Sequence, residues 1–300
     1  MSVFASIASL TMIAQTARTA VPYVLASQGG VWSERSGVVN VALEGMMLAG
    51  GLAGVAVART HGPIAGVVAA LAIGAALGAA HAAVTELGRI DAIVTGVAIN
   101  IIALGGTRVV MRALYQSSSN SPSIDGFAGR GSSMVARVAL DPMSFATIAA
   151  VVMTMLVLRG TRFGLRVRAC GEGPLAARAA GIAVVRTRVL AVSIGGALAG
   201  LAGAALAYDE HQFQSGMSGG RGFMALAAVV LSGWRPGRAA LVCVVFAALD
   251  ALQGVLQGHA RALQDLVQML PFVAALVALA IFSRSGGTGG PPAGLGVHAE

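Results

Sequence analysis

Pro63-Ile-Ala-Gly-Val-Val-Ala-Ala-Leu-Ala-Ile-Gly-Ala-Ala-Leu-Gly-Ala-Ala-His-Ala-Ala-Val-Thr85 runs for 23 residues without an acid, a lysine or an arginine. A hydrocarbon core about 30 Å thick takes roughly 20 apolar residues at about 1.5 Å rise each, so this stretch is long enough to cross a bilayer as a helix. Comparable segments recur near 8–28, 38–58, 92–114, 143–158, 189–208, 222–234, 239–257 and 266–282. The segment 222–234 is short, hemmed in by Arg221 and Arg235. That predicts a half-helix or re-entrant piece, a form tolerated at membrane depth only where protein covers the backbone. The expected fold is all-α: a polytopic transmembrane helix bundle of eight to ten segments, at least one of them short or re-entrant. Glycines four apart, Gly50/Gly54, Gly74/Gly78 and Gly196/Gly200, favour close helix approach in a compact bundle.

Composition points the same way. Of 300 residues, 56% are hydrophobic and 11% charged, more apolar surface than a soluble domain of this length buries inward, so membrane lipid is a partner. All 20 basic residues are arginines, and they punctuate apolar runs rather than cover a soluble face, which excludes a nucleic-acid binder. Cys170 and Cys243 stand far apart and imply neither a disulfide framework nor a metal site. The five histidines show no ligand spacing, and no serine or cysteine sits in a nucleophile-elbow pattern, so no catalytic residue, metal or cofactor is expected. A phosphate-binding Walker A loop needs a lysine, and the chain has none: it is not an enzyme and supplies no ATP site of the usual kind. The start, Met1 to Ala17, lacks a basic lead and a cleavage site, so the first apolar stretch reads as a retained helix.

Orientation follows the arginines. Between 159 and 188 seven arginines face one acid, Glu172, a net charge of +6, so this loop is expected in the cytoplasm. The connection 115–141, with Arg130 and Arg137 against Asp125 and Asp141, is neutral and is expected outside. A transmembrane domain over 1–283 and a flexible Gly/Pro-rich cytoplasmic tail over 284–300 complete the expected organisation.

Ionisable groups in a membrane segment cost about 2.5–3.5 kcal/mol and are kept from lipid. Glu44 follows Asn40 by four positions, placing both on one face if the stretch is helical. Two readings of Glu44 stand side by side: a cap that pairs with Arg35 or bonds backbone amides freed by a glycine break, or a lining group of a translocation path. Asp250, Gln253 and Gln257 form a second polar face, with Asn100 and Thr95 a third; each group serves equally to bond a solute or a neighbouring helix.

Within the basic loop, a lead-in ending at Gly171 is followed by Pro174, a residue favoured in a first helical turn, with Glu172 suited to the positive end of the helix dipole. Ala176 to Ala180 propagate a short helix and Gly181 stops it. Such a small-faced helix between spans is a peg for a partner's groove. The stretch Gly171-Glu172-Gly173-Pro174-Leu175-Ala176-Ala177-Arg178-Ala179-Ala180-Gly181-Ile182 resembles the coupling helix of ABC importer permeases, in the pattern GENPxAARxAGI of the branched-chain amino acid, ribose and nucleoside permease family. Gly173 replaces the asparagine, a change at the cap. Ser33 to Met47 is similar to the ERxGVxNIGxEGMM segment of the nucleoside and simple-sugar subgroup, and Gly222 to Pro236 to its GxxALAxxxxGxWxP segment. The three matches run in order over most of the chain.

The resemblance implies the permease subunit of an importer of small polar solutes, a nucleoside or simple sugar, in the bacterial inner membrane. It implies three partners: a cytosolic ABC ATPase, a second homologous permease and an extracytoplasmic solute-binding protein. Gly171, Glu172, Pro174, Ala177, Ala180 and Gly181 would couple to the ATPase, and Asn40, Glu44, Asn100, Asp250 and Gln253 would stand near the path. The competing reading is a stand-alone ion-coupled secondary transporter or channel, for which membrane acids such as Glu44 would be coupling sites.

Overall fold

A computed structural model describes residues 10–127, 141–257, 269, 271–278, 280 and 290–298. The described residues form helices α1 (Leu10–Arg35), α2 (Leu43–His61), α3 (Pro63–Gly88), α4 (Ala92–Tyr115), α5 (Pro142–Gly160), α6 (Arg162–Glu172), α7 (Pro174–Ala179), α8 (Val184–Asp209), α9 (Arg221–Leu231) and α10 (Pro236–Gln257). Residues 271–278 are helical as well, within the segment expected at 266–282, the rest of which lies largely outside the described residues. Among the described residues the only extended pairing is one antiparallel bridge, Asn120 with Gln214.

Among the described residues five helices, α3, α4, α5, α8 and α10, are long and apolar enough to cross a membrane. Their distribution is the reverse of a soluble bundle. In α3, α4, α5 and α10 only 22–28% of the most apolar stretch is buried, leaving Ile64, Ile101, Ile148 and Leu241 outward. With water outside, that surface would be strongly unfavourable; with lipid outside it costs nothing. Helices α1 and α2 have the length, 26 and 19 residues, but carry Gln28, Glu34 and Glu44 and sit largely inside.

At the centre is α8, packed on α1, α2 and α3. In its most apolar stretch 67% of the residues are buried, and it is lined by glycine and alanine, so neighbouring backbones close directly onto it. A Cβ at Gly200 would fall on the Ala70 carbonyl, one at Gly196 on the Gly74 carbonyl, and one at Gly50 on Gly200 itself. The glycine pairs read from the sequence are therefore the contact points of three helices, with Gly78 seated on Val192.

Two places depart from the expected segments. The helix expected from residue 38 starts at Leu43, because Gly37 takes a left-handed φ of +99° and the amides of Ser36 and Val38 bond back to Ser33 O, ending α1. Asn40 therefore lies in a non-helical link, not one turn before Glu44 on a shared helical face. The short segment is the eleven-residue α9, about 16 Å long at the helical rise and thus about half a crossing. Irregular backbone over 210–220 leads into it. The connection after α4 folds onto that backbone: Ser121 N bonds Phe213 O at 2.8 Å, Ser215 N bonds Ser119 O at 2.8 Å and Ile124 N bonds His211 O at 2.8 Å. Protein thus satisfies the non-helical stretch, as a membrane interior requires.

Residues 290–298 lie in the stretch expected to be a flexible tail, yet they are held. Gly294 N bonds Gly171 O at 2.8 Å, Gly296 N bonds Gly37 O at 2.9 Å, and Leu295 packs with the cluster around Trp32 and Val167.

Candidate functional site

The basic loop folds into two helices. Thr161 caps α6, its hydroxyl accepting from Gly164 N at 3.1 Å. Val167 and Cys170 are buried on the inner face while Arg162 and Arg166 remain outside, and burial pushes the Cys170 thiol above its ordinary pKa. The sequence reading took this stretch as a basic lead-in; it is an amphipathic helix of its own.

Helix α7 follows after Gly173, with Pro174 in its first turn. Gly181, at φ +80°, stops it, and Ile182 N closes back on Ala177 O at 3.0 Å. The six residues present two faces. Gly171, Pro174 and Ala177 are buried against the bundle, Ala177 in a small cluster with Cys170 and Val184. Leu175, 64% exposed, points outward with Ala176, Arg178, Ala179, Ala180 and Gly181. Of the residues assigned to coupling, Ala180, Gly181 and the exposed Glu172 are accessible, whereas Gly171, Pro174 and Ala177 seat the helix. Glu172 is the last residue of α6 and lies 3.6 Å from Arg35 Nη1.

Beneath this pair sits Arg188, which the sequence reading counted merely as one of seven loop arginines. It is fully buried in the first turns of α8 and joins four segments. Its Nη1 donates to Glu86 at 2.6 Å and to Val297 O at 2.7 Å, Nε to Ser36 O at 3.0 Å, and Nη2 to Cys170 O at 3.1 Å. A buried guanidinium is tolerable only when paired and saturated in this way. Hydropathy shows Glu86 and Arg188 as two boundary charges, and nothing in their 102-residue separation announces the pair. Nearby, Glu34 accepts from Trp234 Nε1, and Arg35 Nε donates to Trp234 O at 3.1 Å, fastening the end of α9 to α1.

The polar residues expected near a path gather in two groups that meet at the start of α9. Glu44, in the first turn of α2, accepts three hydrogen bonds: Ser218 Oγ at 2.5 Å and Gly220 N at 2.8 Å on one oxygen, Gly222 N at 2.7 Å on the other. Glycines are needed here, since Gly220 has φ +85° and a Cβ on Gly222 would lie 2.6 Å from Glu44 Cα. Asn100 of α4 accepts from Gly45 N at 2.8 Å and donates to Val41 O at 3.0 Å, clasping the link before α2. Asn40 donates to Ser33 Oγ at 2.9 Å, while its Oδ1 is buried with no hydrogen-bond partner among the described residues.

In the second group, Asp250 of α10 accepts from Arg221 Nη2 at 3.1 Å and from Tyr23 Oη at 3.3 Å, and the guanidinium lies 5.8 Å over the Tyr23 ring. Gln253 is half-buried one turn along α10. Since residues 220 and 222 hold Glu44 and residue 221 holds Asp250, the half-helix begins where both groups converge. Tyr23 and Arg221 were missed as partners because they come from different helices. At the opposite end of the bundle from α7, Arg18, set inside an apolar run, pairs with Asp209. No group of three or more His, Cys, Asp or Glu suited to a metal occurs among the described residues.

A bundle apolar on the outside, with a charge-anchored half-helix inside and a short helix displayed on its basic end, is the membrane subunit of a transporter that works through another chain. Comparison with known proteins narrows that class: residues 12–276 match the family described as "Branched-chain amino acid transport system / permease component", and the chain belongs to it. It is an ABC importer permease, a transport subunit without an ATPase domain, rather than a stand-alone secondary transporter. The chain is 35% identical over 234 residues to the guanosine ABC transporter permease protein NupQ of Bacillus subtilis, covering 72% of this chain and 73% of that one. It is 31% identical over 282 residues to the nucleoside ABC transporter permease protein NupC of Lactococcus lactis, covering 87% and 88%. With the putative glucose ABC transporter permease protein TsgC13 of Haloferax volcanii it shares 34% identity over 252 residues, covering 79% and 75%.

Proposed function

We propose that this permease imports a nucleoside, with a simple sugar as the neighbouring choice, and that α7 is its coupling helix. The observation that carries the mechanism is the two-faced α7. Its buried face, Pro174 and Ala177, is fixed to the bundle, and its free face, Leu175, Ala176, Ala179 and Ala180, is offered to another chain. In this reading the basic end lies in the cytoplasm, where the ATPase grips α7. A second homologous permease completes the pore, and an extracytoplasmic binding protein delivers solute to the other end. Motion of α7 reaches the bundle through Gly171, whose carbonyl holds the tail, and through Arg188 and Glu86.

For the path, the half-buried Arg221, Asp250 and Gln253 are the bordering groups. Glu44, Asn40 and Asn100 serve them by holding the half-helix in place. The substrate class rests on likeness to relatives named for guanosine, nucleosides and glucose.

The test is uptake of labelled guanosine, adenosine and glucose by cells lacking the chain, complemented with wild type or with Leu175→Asp/Ala179→Asp. Wild type restores nucleoside uptake, and the double variant does not, losing ATPase co-purification while its melting temperature stays within about 1–2 °C of wild type. Restored glucose uptake alone would transfer the assignment to sugars. Retained ATPase binding in the double variant would refute the role of α7.

A further inference from the structure

Where the basic end meets the apolar belt, the last turn of α3, the link after α7 and the first turn of α8 enclose an open concavity of about 440 Å³. Its walls carry three arginines, Arg89, Arg178 and Arg186, with Leu87 and Ile182. Among the described lining residues the one acid, Glu86, pairs with Arg188, and nearby Asp91 caps α4 by accepting from Ile93 N and Val94 N. All three arginines are exposed, and no hydrogen bond or ion pair engages their side chains among the described residues. Arg89 also occupies a left-handed position, φ 52°, closing α3 where a glycine would sit at lower cost. Among the described residues the pocket therefore gathers three arginines with no ion pair of their own, and exposed apolar side chains continue from it: Leu87 in the wall is 72% exposed, Ile90, next to Arg89 in the chain, 44%, and Leu190, one turn beyond Arg186 on α8, 55%.

We infer that this concavity is a binding site for an anionic phospholipid of the inner leaflet, Arg89, Arg178 and Arg186 holding the headgroup phosphate while the acyl chains lie along Leu87, Ile90 and Leu190. The chemistry is that of a phosphodiester. Guanidinium groups bind its oxygens in paired hydrogen bonds, and basic pockets between spans on the cytoplasmic side are suited to such headgroups. The exposed belt selects a lipid over a soluble phosphate, because only the lipid brings chains that cover Leu87 and Leu190. The inference requires the basic end to face the cytoplasm but not that α7 be the coupling helix. One of its ligands, Arg178, stands on α7, so an occupied site would tie that helix to the membrane surface.

The test purifies wild type, Arg89→Gln/Arg186→Gln and the control Arg162→Gln with the ATPase from mixed phosphatidylglycerol and phosphatidylcholine vesicles and measures retained lipid by native mass spectrometry. Wild type and the control retain phosphatidylglycerol preferentially, and the double variant loses the preference by about thirtyfold, one charge contact per arginine. Equal retention by all three would overturn the site, as would an equal fall in the control, which would mean diffuse attraction. Stabilisation by inorganic phosphate matching that by phosphatidylglycerol would mark a free-anion site instead. Loss of ATPase in the double variant with lipid retention unchanged would make the pocket a protein interface and also refute the inference. The single variants Arg89→Gln and Arg186→Gln, each expected to show part of the loss, keep the test decisive if the double variant fails to fold.

Discussion

Replacing Glu44 by glutamine removes one charge and leaves the shape of the side chain, which makes it the sharpest probe of how the half-helix is held. In the best orientation the glutamine oxygen keeps Ser218 and Gly220, and its NH2 then confronts the N–H of Gly222, now 2.7 Å from Oε2. One hydrogen bond to a charged group, about 1.5–3 kcal/mol, is lost. The carboxylate's attraction to the N-terminus of α9, about 0.3–1 kcal/mol, goes with it. The expected loss is about 2–4 kcal/mol, a fall in melting temperature of about 4–8 °C at roughly 2 °C per kcal/mol for a chain of this size. Thermal unfolding in detergent, followed by tryptophan fluorescence, measures it directly, because Trp234 closes the far end of α9. Ser218→Ala, which removes a single donor, should fall by about 1 kcal/mol, and the double variant should be less than additive, since both changes act on one carboxylate. A Glu44→Gln protein as stable as wild type would refute the anchoring role. Normal stability with lost uptake would do so differently, by making Glu44 a group that meets solute.

Other expectations follow from the same geometry. Glu86→Gln or Arg188→Gln strands a buried charge and should cost about 3–5 kcal/mol, with Arg188→Lys hardly better because one ammonium cannot span Ser36, Glu86, Cys170 and Val297; folded yield and melting temperature report it. Gly200→Val drives a side chain into the Ala70 backbone and should cost at least about 1–3 kcal/mol, whereas Gly105→Ala, with open space around it, should be near neutral by the same melting assay. Cys170, buried with its thiol pushed upward, should resist maleimide at neutral pH in the folded protein and react once it is unfolded; rapid labelling of the native protein would place α6 away from the bundle.

Much of the bundle was legible in the chain because lipid imposes length and hydropathy on anything that crosses it. The expected segments at 63–85, 92–114, 143–158 and 239–257 lie within α3, α4, α5 and α10 to within a few residues. The half-length helix was visible because Arg221 and Arg235 leave no room for a longer one. Proline at 174 and glycine at 181 bound α7, since each has a local conformational meaning that needs no neighbour. The reading failed at residues 36–42, where apolar character continues but Gly37 breaks the helix, and a hydropathy pattern cannot register a left-handed turn. Nor does identity along a six-residue helix say which side is turned inward: Pro174 and Ala177, named with the coupling residues, lie on the buried side of α7.

What the sequence determined by itself, then, was whatever depends on solvent and local backbone: membrane residence, the length of the apolar segments, the basic end, and a short helix in its loop. Only the tertiary structure decided the partners of the buried charges. Glu44 with 218–222, Glu86 with Arg188, and Asp250 with Arg221 and Tyr23 join residues 29 to 227 positions apart. A charge inside such a bundle has one overriding requirement, to be neutralised and hydrogen-bonded, and the chain can meet it from any helix that packing brings within about 3 Å. That choice is set by which glycine faces meet around α8, a property of three packed helices and of no single stretch of sequence.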